Sequence, residues 1–284
     1  MQFKESDLIL NRDGSVYHLS LKPKQVSSKI IVVGDPGRVH RVSRHFDEIE
    51  FEMNKREFIT HTGYYKGKRI TVMSTGMGTD NLEIVMMELD ALFNIDLKKR
   101  TARKSKKSFE IVRVGTSGAI QESIKIGAII ASQYCVGMDI TNFYYDIPQN
   151  DYEKDISSHL KETLDLPYIP YCVQCSGDLR ERLAFDIQSG NTVTTPGFYG
   201  PQGRNLRIPI KNNNLFDQIQ YFNYSDFWLS NFEMESSAMY ALAKLLGHSA
   251  LSINAILANR AKGSYLKDAN KPIDAIIEKV LERF

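Results

Sequence analysis

The stretch KIIVVGDPGRVHRVSRHFD, Lys29–Asp47, decides the fold. Its first half carries a run of β-branched residues, Ile30–Val33, broken by Gly34, Asp35 and Pro36. Such a run, bounded by turn formers, reads as a buried strand. The second half, Gly37–Asp47, sets Val39, Val42 and Phe46 on one face at helical spacing. Strand followed by amphipathic helix is the unit of an α/β fold. The alternation continues outward. REFITHTGYYKGKRITVMST (Arg56–Thr75) reads as a hairpin turning at Lys66-Gly67. Thr79–Phe93 opens on capping residues and carries a broad apolar stripe, so it reads as a helix. Further strands are expected at Phe109–Gly115, at Gly127–Ser132, around Cys172, at Asn191–Gly197 and at Ser249–Leu257. Helices are expected at Tyr152–Leu164, Asp178–Ile187 and Glu233–Leu246, and in the tail from Pro272. Neither an internal repeat nor a composition break divides the chain, so residues 1–284 are expected to form one α/β domain.

Composition excludes several classes. Thirty-six Lys plus Arg stand against 34 Asp plus Glu, a formal net charge of +2, which does not favour a nucleic-acid binder. The densest cationic run, KKRTARKSKK (Lys98–Lys107), has no interleaved aromatic residue and reads as a solvated connection between helix and strand. Cys135, Cys172 and Cys175 make no metal set. Cys172 and Cys175 form a C-x-x-C, but in a strand positions three apart face opposite ways. Unpaired thiols and a polar first stretch, MQFKESDLILNRDG, point to a reducing cytosol. No apolar run approaches membrane length.

Two segments suit an anion. Gly34-Asp35-Pro36-Gly37-Arg38 follows a strand and opens a helix, where close backbone approach and the positive helix end favour negative charge. It is neither a P-loop nor a dinucleotide fingerprint. Arg113-Val114-Gly115-Thr116-Ser117-Gly118 supplies a guanidinium, hydroxyls and glycines at a strand end, where α/β sheets hold ligands. Each alone is also an ordinary Gly-rich turn. FYGPQGR (Phe198–Arg204) pairs the amide of Gln202 with the donor-only fork of Arg204, beside two aromatic rings. Such a pair can read a flat ring that alternates carbonyl and N–H groups, as uracil does. Phe232-Glu233-Met234-Glu235 enters a helix. Carboxylates there favour the helix dipole, and they also accept from the vicinal hydroxyls of a sugar.

In order along the chain, GDPGR, STGMGTDN, RVGTSGAIQ, FYGPQGR and FEMES resemble the nucleoside phosphorylases, and among them the uridine phosphorylase family. The resemblance runs from His18 to Arg260. Its most specific motif is FYGPQGR, which fits the family's F-Y-x-x-Q-x-R uracil loop at every fixed position. The resemblance implies a central mixed β-sheet flanked by helices, and reversible phosphorolysis of uridine to uracil and ribose 1-phosphate. It assigns phosphate to Gly34, Arg38, Arg113 and Thr116, with Arg56 reaching it from a neighbouring subunit. It assigns ribose to Glu233, Met234 and Glu235, with His18 crossing the dimer interface to the 5′-hydroxyl. Phe198 would flank the base, Gln202 and Arg204 would read it, and Arg260 would support the loop. Gln202, Arg204, Arg113 and Glu235 would carry the catalysis. A monovalent cation such as potassium, seen in some relatives, maps to Glu57, Ile70 and Ser74. No other cofactor is implied, since inorganic phosphate is a co-substrate. The partners implied are the two small substrates and other copies of the chain, a homodimer at least, with a trimer of dimers left open. The chain departs from the family in Gly200-Pro201, in Gly203, in the basic insertion before Phe109 and over Asn142–Asp151.

Purine phosphorylases of this family carry an Asp after the late strand. Here the chain reads Leu257-Ala258-Asn259-Arg260, without an acid. A donor-only guanidinium suits uracil, which departs as an anion. Two other classes stay open on the residues alone. A nucleosidase of the same fold would use water and a carboxylate base. A non-catalytic nucleoside-binding protein would have no use for Arg38, Arg113 and Thr116.

Overall fold

The computed structural model describes residues 2–284. The chain sorts into two compact units, Met1–Val112 with Leu246–Ser249, and Arg113–Leu245 with Ala250–Phe284. The first holds β1 (Lys29–Val33), α1 (Gly37–Ser43), β2 (Glu48–Lys55), β3 (Phe58–Tyr65), β4 (Lys68–Ser74), α2 (Thr79–Asn94) and the short pair β5 (Ile95–Asp96) and β6 (Thr101–Ala102). Strand order is β1-β4-β3-β2. β1 runs parallel to β4, and the other pairs are antiparallel. Parallel pairing buries β1 on both faces, which is why Ile30–Val33 are uninterruptedly apolar and fully buried. The hairpin turns where the sequence places it, with Lys66 and Gly67 both at positive φ (48° and 75°), as a two-residue hairpin loop demands. The first helix ends earlier than its apolar spacing suggests. After Ser43 the N–H groups of His45 and Phe46 bond three residues back, and the last turn tightens and stops. β2 is not evident from the sequence. It is an edge strand with most residues exposed, and Glu48, Glu50 and Glu52 alternate along it as charges that blunt such edges.

β7 (Glu110–Ala119) enters the second unit at Arg113. There follow β8 (Ile129–Gly137), α3 (Asp151–Leu164), β9 (Tyr171–Gln174), α4 (Gly177–Leu183), β10 (Gln188–Thr194), α5 (Leu215–Gln220), the pair β11 (Asn223–Tyr224) and β12 (Phe227–Trp228), β13 (Asn231–Glu233), α6 (Ser236–Leu246), β14 (Ser249–Asn259), β15 (Ser264–Tyr265) and α7 (Asn270–Arg283). The order is β15-β14-β8-β10-β13-β7, with β9 on β8. β10 runs parallel to β8 and β13, while β14, β9 and β7 pair antiparallel. The chain therefore has the α/β class, with mixed sheet and flanking helices, that its alternating pattern predicts. Cys135 and Cys172 are fully buried, and burial pushes both thiols well up, as it pushes Cys175 to about 11. Such thiols are packing groups rather than nucleophiles. Among the described residues no helix is long and apolar enough to cross a membrane.

Candidate active site

The second unit brings Arg113, Glu233 and Glu235 into one buried cluster, although the sequence suggests separate subsites for the anion and the sugar. Arg113 sits on β7 and is 5% exposed. One end of its fork donates to Glu235, and the other donates to Asn254 Oδ1 at 2.9 Å and lies 3.5 Å from Glu233. Its Nε is buried without a partner. The guanidinium folds back over Gly115, where any Cβ would overlap it at 1.8 Å and Asn254 Oδ1 at 2.4 Å, so a side chain there would push Arg113 off its place. Burial opposes the charge on Arg113, and the two carboxylates outweigh burial and raise its pKa. Thr116 stands half-buried three residues further along β7.

The two glutamates do different work. Glu233 ends strand β13 rather than beginning the helix expected from Glu233 to Leu246. Its carboxylate accepts from the N–H of Glu235 at 2.9 Å and of Ser236 at 2.9 Å, from Ser236 Oγ at 2.8 Å and from Thr194 Oγ1 at 2.5 Å. It caps α6, the ordinary task of an acid at a helix start. Burial pushes its pKa up against the pull of Arg113. With its acceptors engaged by the chain, Glu233 positions the junction, and Glu235 is the carboxylate turned to Arg113. Met234, half-buried, lies between them.

The base loop is built on a 3-10 turn, Gly200–Gln202, ended by Gly203 in the left-handed region (φ 68°). A side chain at 203 would also press on Phe216, 3.0 Å from its Cβ, which accounts for glycine there. Gln202 is buried. Its amide donates to Thr195 Oγ1 at 3.0 Å, and its carbonyl accepts from Arg204. Arg204 donates to the Phe198 carbonyl at 2.5 Å, and its guanidinium lies 3.8 Å from the centre of the Phe198 ring. Arg260 donates to the Gln202 backbone carbonyl at 2.9 Å and lies over Phe216. Burial, with Arg260 nearby, pulls the pKa of Arg204 down to about 10, still cationic at neutral pH. Asn259 is engaged by backbone carbonyls, Gln121 at 2.9 Å and Ile124 at 2.7 Å.

In the first unit, Gly34 and Arg38 flank the turn after β1. Asp35 Oδ1 already accepts from the Gly37 N–H at 2.9 Å, and α1 spans only Gly37–Ser43. The turn therefore offers an anion less positive helix end than the sequence suggests. Arg56 occupies the β2–β3 turn at φ 54°, with its guanidinium 5.8 Å from the Tyr17 ring centre. This sets it beside the segment that holds His18. A residue the sequence does not reveal organises that segment. Glu88, on α2, accepts from the backbone N–H of His18 at 2.9 Å and of Leu19 at 2.9 Å, and contacts His18 Nδ1 at 2.7 Å. With Nδ1 held by the carboxylate, Nε2 is the nitrogen left to face a ligand. Glu57 and Ser74 meet, the serine hydroxyl donating to the Glu57 carbonyl. Ile70 does not join them: it is fully buried, four residues back along β4, about 13 Å at strand rise.

The profile of the Phosphorylase superfamily matches residues 28–284. A uridine phosphorylase of Thermococcus kodakarensis is 31% identical over 273 residues, 95% of this chain and 87% of that protein. A DeoD-type purine nucleoside phosphorylase of Bacillus cytotoxicus is 26% identical over 238 residues, 83% of each. Among solved structures, a Trypanosoma brucei nucleoside phosphorylase, reported to show uridine phosphorylase activity, superposes with a TM-score of 0.88 at 29% identity, covering 97% of this chain and 99% of that one. By the extent of the profile match and by the Thermococcus kodakarensis relative, this chain belongs to the phosphorylase superfamily.

Proposed function

We propose that this protein is a uridine phosphorylase, a pentosyltransferase that converts uridine and phosphate to uracil and ribose 1-phosphate. The base loop carries the reading. The Gln202 side chain accepts from the Arg204 guanidinium, and the Arg260 guanidinium holds the loop by donating to the Gln202 backbone carbonyl. In the neighbourhood where purine phosphorylases carry an acid, Leu257 to Arg260, this chain has none, and Asn259 is engaged in holding the backbone. A site rich in donors suits a base that leaves as an anion. Uracil takes the electron pair of the glycosidic bond, and its carbonyl oxygens receive hydrogen bonds from Arg204 and Gln202.

Phosphate is the nucleophile at the anomeric carbon. Gly34, Arg38, Arg113 and Thr116 bind it, with Arg56 of a neighbouring subunit. Glu235 and Met234 hold the ribose, and Glu233 fixes the junction that presents them. The dianion also offsets the positive charge that develops on the sugar, so positioning does most of the work and contributes on the order of several kcal/mol. The active unit is a homodimer or a larger assembly of dimers.

The test is release of uracil from uridine with and without phosphate, alongside inosine. Phosphate-dependent release with ribose 1-phosphate as product, and weak turnover of inosine, is expected. Equal turnover without phosphate, giving free ribose, would assign a nucleosidase. Binding without turnover would assign a nucleoside-binding protein.

A further inference from the structure

We propose that the cavity at the N-terminal end of β1 binds a nucleoside triphosphate. This cavity, of 910 Å³, lies wholly in the first unit. Its wall takes Lys29 from β1, Lys68 and Arg69 from β4, Phe93 from α2, and Arg103 and Lys107 from the basic run. No carboxylate belongs to the wall. β1 is five residues long, so this end stands about 15 Å from Gly34 at strand rise. The site is separate from the turn assigned to phosphate.

The basic run is held in place rather than left to solvent. Asn94 closes α2 and is 1% exposed. Its backbone carbonyl accepts from the Arg103 N–H at 2.7 Å. Its side-chain oxygen accepts from the Lys107 N–H at 2.7 Å, and its amide donates to the Lys107 carbonyl at 3.0 Å. The same amide donates to Asp90 at 2.6 Å. One buried asparagine thus fixes the middle of the cationic run through its backbone and the far end through its side chain, which a merely solvated connection does not need. Arg69 is paired with Glu50 at 2.7 Å, and Lys29 lies 3.9 Å from Glu110. Lys68, Arg103 and Lys107 are exposed cations on a wall whose own lining has no acid, with Asp96 acting on Arg103 from outside it, and this set suits a triphosphate in charge.

The aromatic element that the basic run lacks in sequence comes from α2. Phe93 lines the cavity half-buried, its ring 5.3 Å from that of Phe109. An apolar ring and cations lining one cavity suit a nucleobase joined to phosphates. The hydroxyls of Ser27 and Ser108 already donate to backbone carbonyls, at 2.6 and 3.5 Å, so base identity is weakly read. The volume suits one small molecule. A polynucleotide would need a track of successive aromatic platforms.

Calorimetric titration of the full chain with ATP, UTP, inorganic triphosphate and a short single-stranded RNA tests this. ATP and UTP are expected to bind with similar affinity, and inorganic triphosphate more weakly. The double variant Arg103→Glu/Lys107→Glu and, independently, Lys68→Glu on β4 should each weaken ATP by at least about tenfold with unchanged melting temperature. Nucleotide affinity indifferent to both variants would overturn the site. Inorganic triphosphate binding as tightly as ATP would overturn the nucleoside part, and RNA binding more tightly than either nucleotide would overturn the triphosphate assignment.

Discussion

Arg204 and Gln202 hydrogen-bond each other, which changes how their substitution should be read. Considered singly, and if Arg204 meets the departing uracil as proposed, Arg204→Ala should lower kcat for uridine by at least roughly tenfold. If Gln202 reads the base edge as proposed, Gln202→Ala should mainly raise KM, at about 1–3 kcal/mol. Because each side chain orients the other, the two losses should not add. Kinetics on uridine for both singles and the double variant measure this. A double variant as poor as the product of the singles would mean that the pair acts independently. Glu88 allows a second residue-level test. It touches His18 and the neighbouring backbone, so its task is positioning. If His18 receives the 5′-hydroxyl, Glu88→Ala should raise KM for uridine up to roughly tenfold and leave kcat nearly unchanged. KM for 5′-deoxyuridine should not move. An equal rise for both substrates would place the effect in folding instead.

Among the elements, α7 shows how a terminal helix is fixed. Its buried face is Ile273, Ile276, Ile277, Val280 and Leu281. Its outer end is tied by Asp186, which accepts from Arg283 at 2.6 and 2.8 Å and from Lys279 at 2.6 Å. Hydrogen bonds from Arg283 and then Lys279 hold the Asp186 carboxyl well below the usual carboxylate range. A depressed folded-state pKa contributes stability that is present above the unfolded value, near 3.9, and lost as pH falls through the folded one. Asp186→Asn should therefore lower the melting temperature modestly at neutral pH, and the difference from wild type should close in strong acid and shrink in high salt. Melting curves from neutral pH into acid follow it. A gap that widens on acidification would show that the carboxylate is not what ties the helix.

At the scale of the whole molecule, distance along the chain decides what the sequence reveals. The base loop is legible because Phe198, Gln202 and Arg204 meet within seven residues, through local turn chemistry. The strand-helix alternation is legible because burial writes its own period. Partnerships are not. Arg113 finds Glu235 across 122 positions, and Glu88 finds His18 across 70. The sequence gives two acids at one helix start, but the strand-to-helix junction selects Glu233 as cap and turns Glu235 toward Arg113. Arg56 and the His18 segment come together in the same way, across the β2–β3 turn and the Tyr17 ring. That grouping supports their serving one site jointly, which by family resemblance is the neighbour's. The consequence is testable by mixing. A His18→Ala/Arg56→Ala chain and a Glu235→Ala chain should each be nearly inactive alone. After the subunits exchange, half of the dimers are hybrids, and each hybrid carries one site with every residue intact. Activity should return to about a quarter of the wild-type value. Labelled subunits that exchange without any return of activity would show that each chain completes its own site.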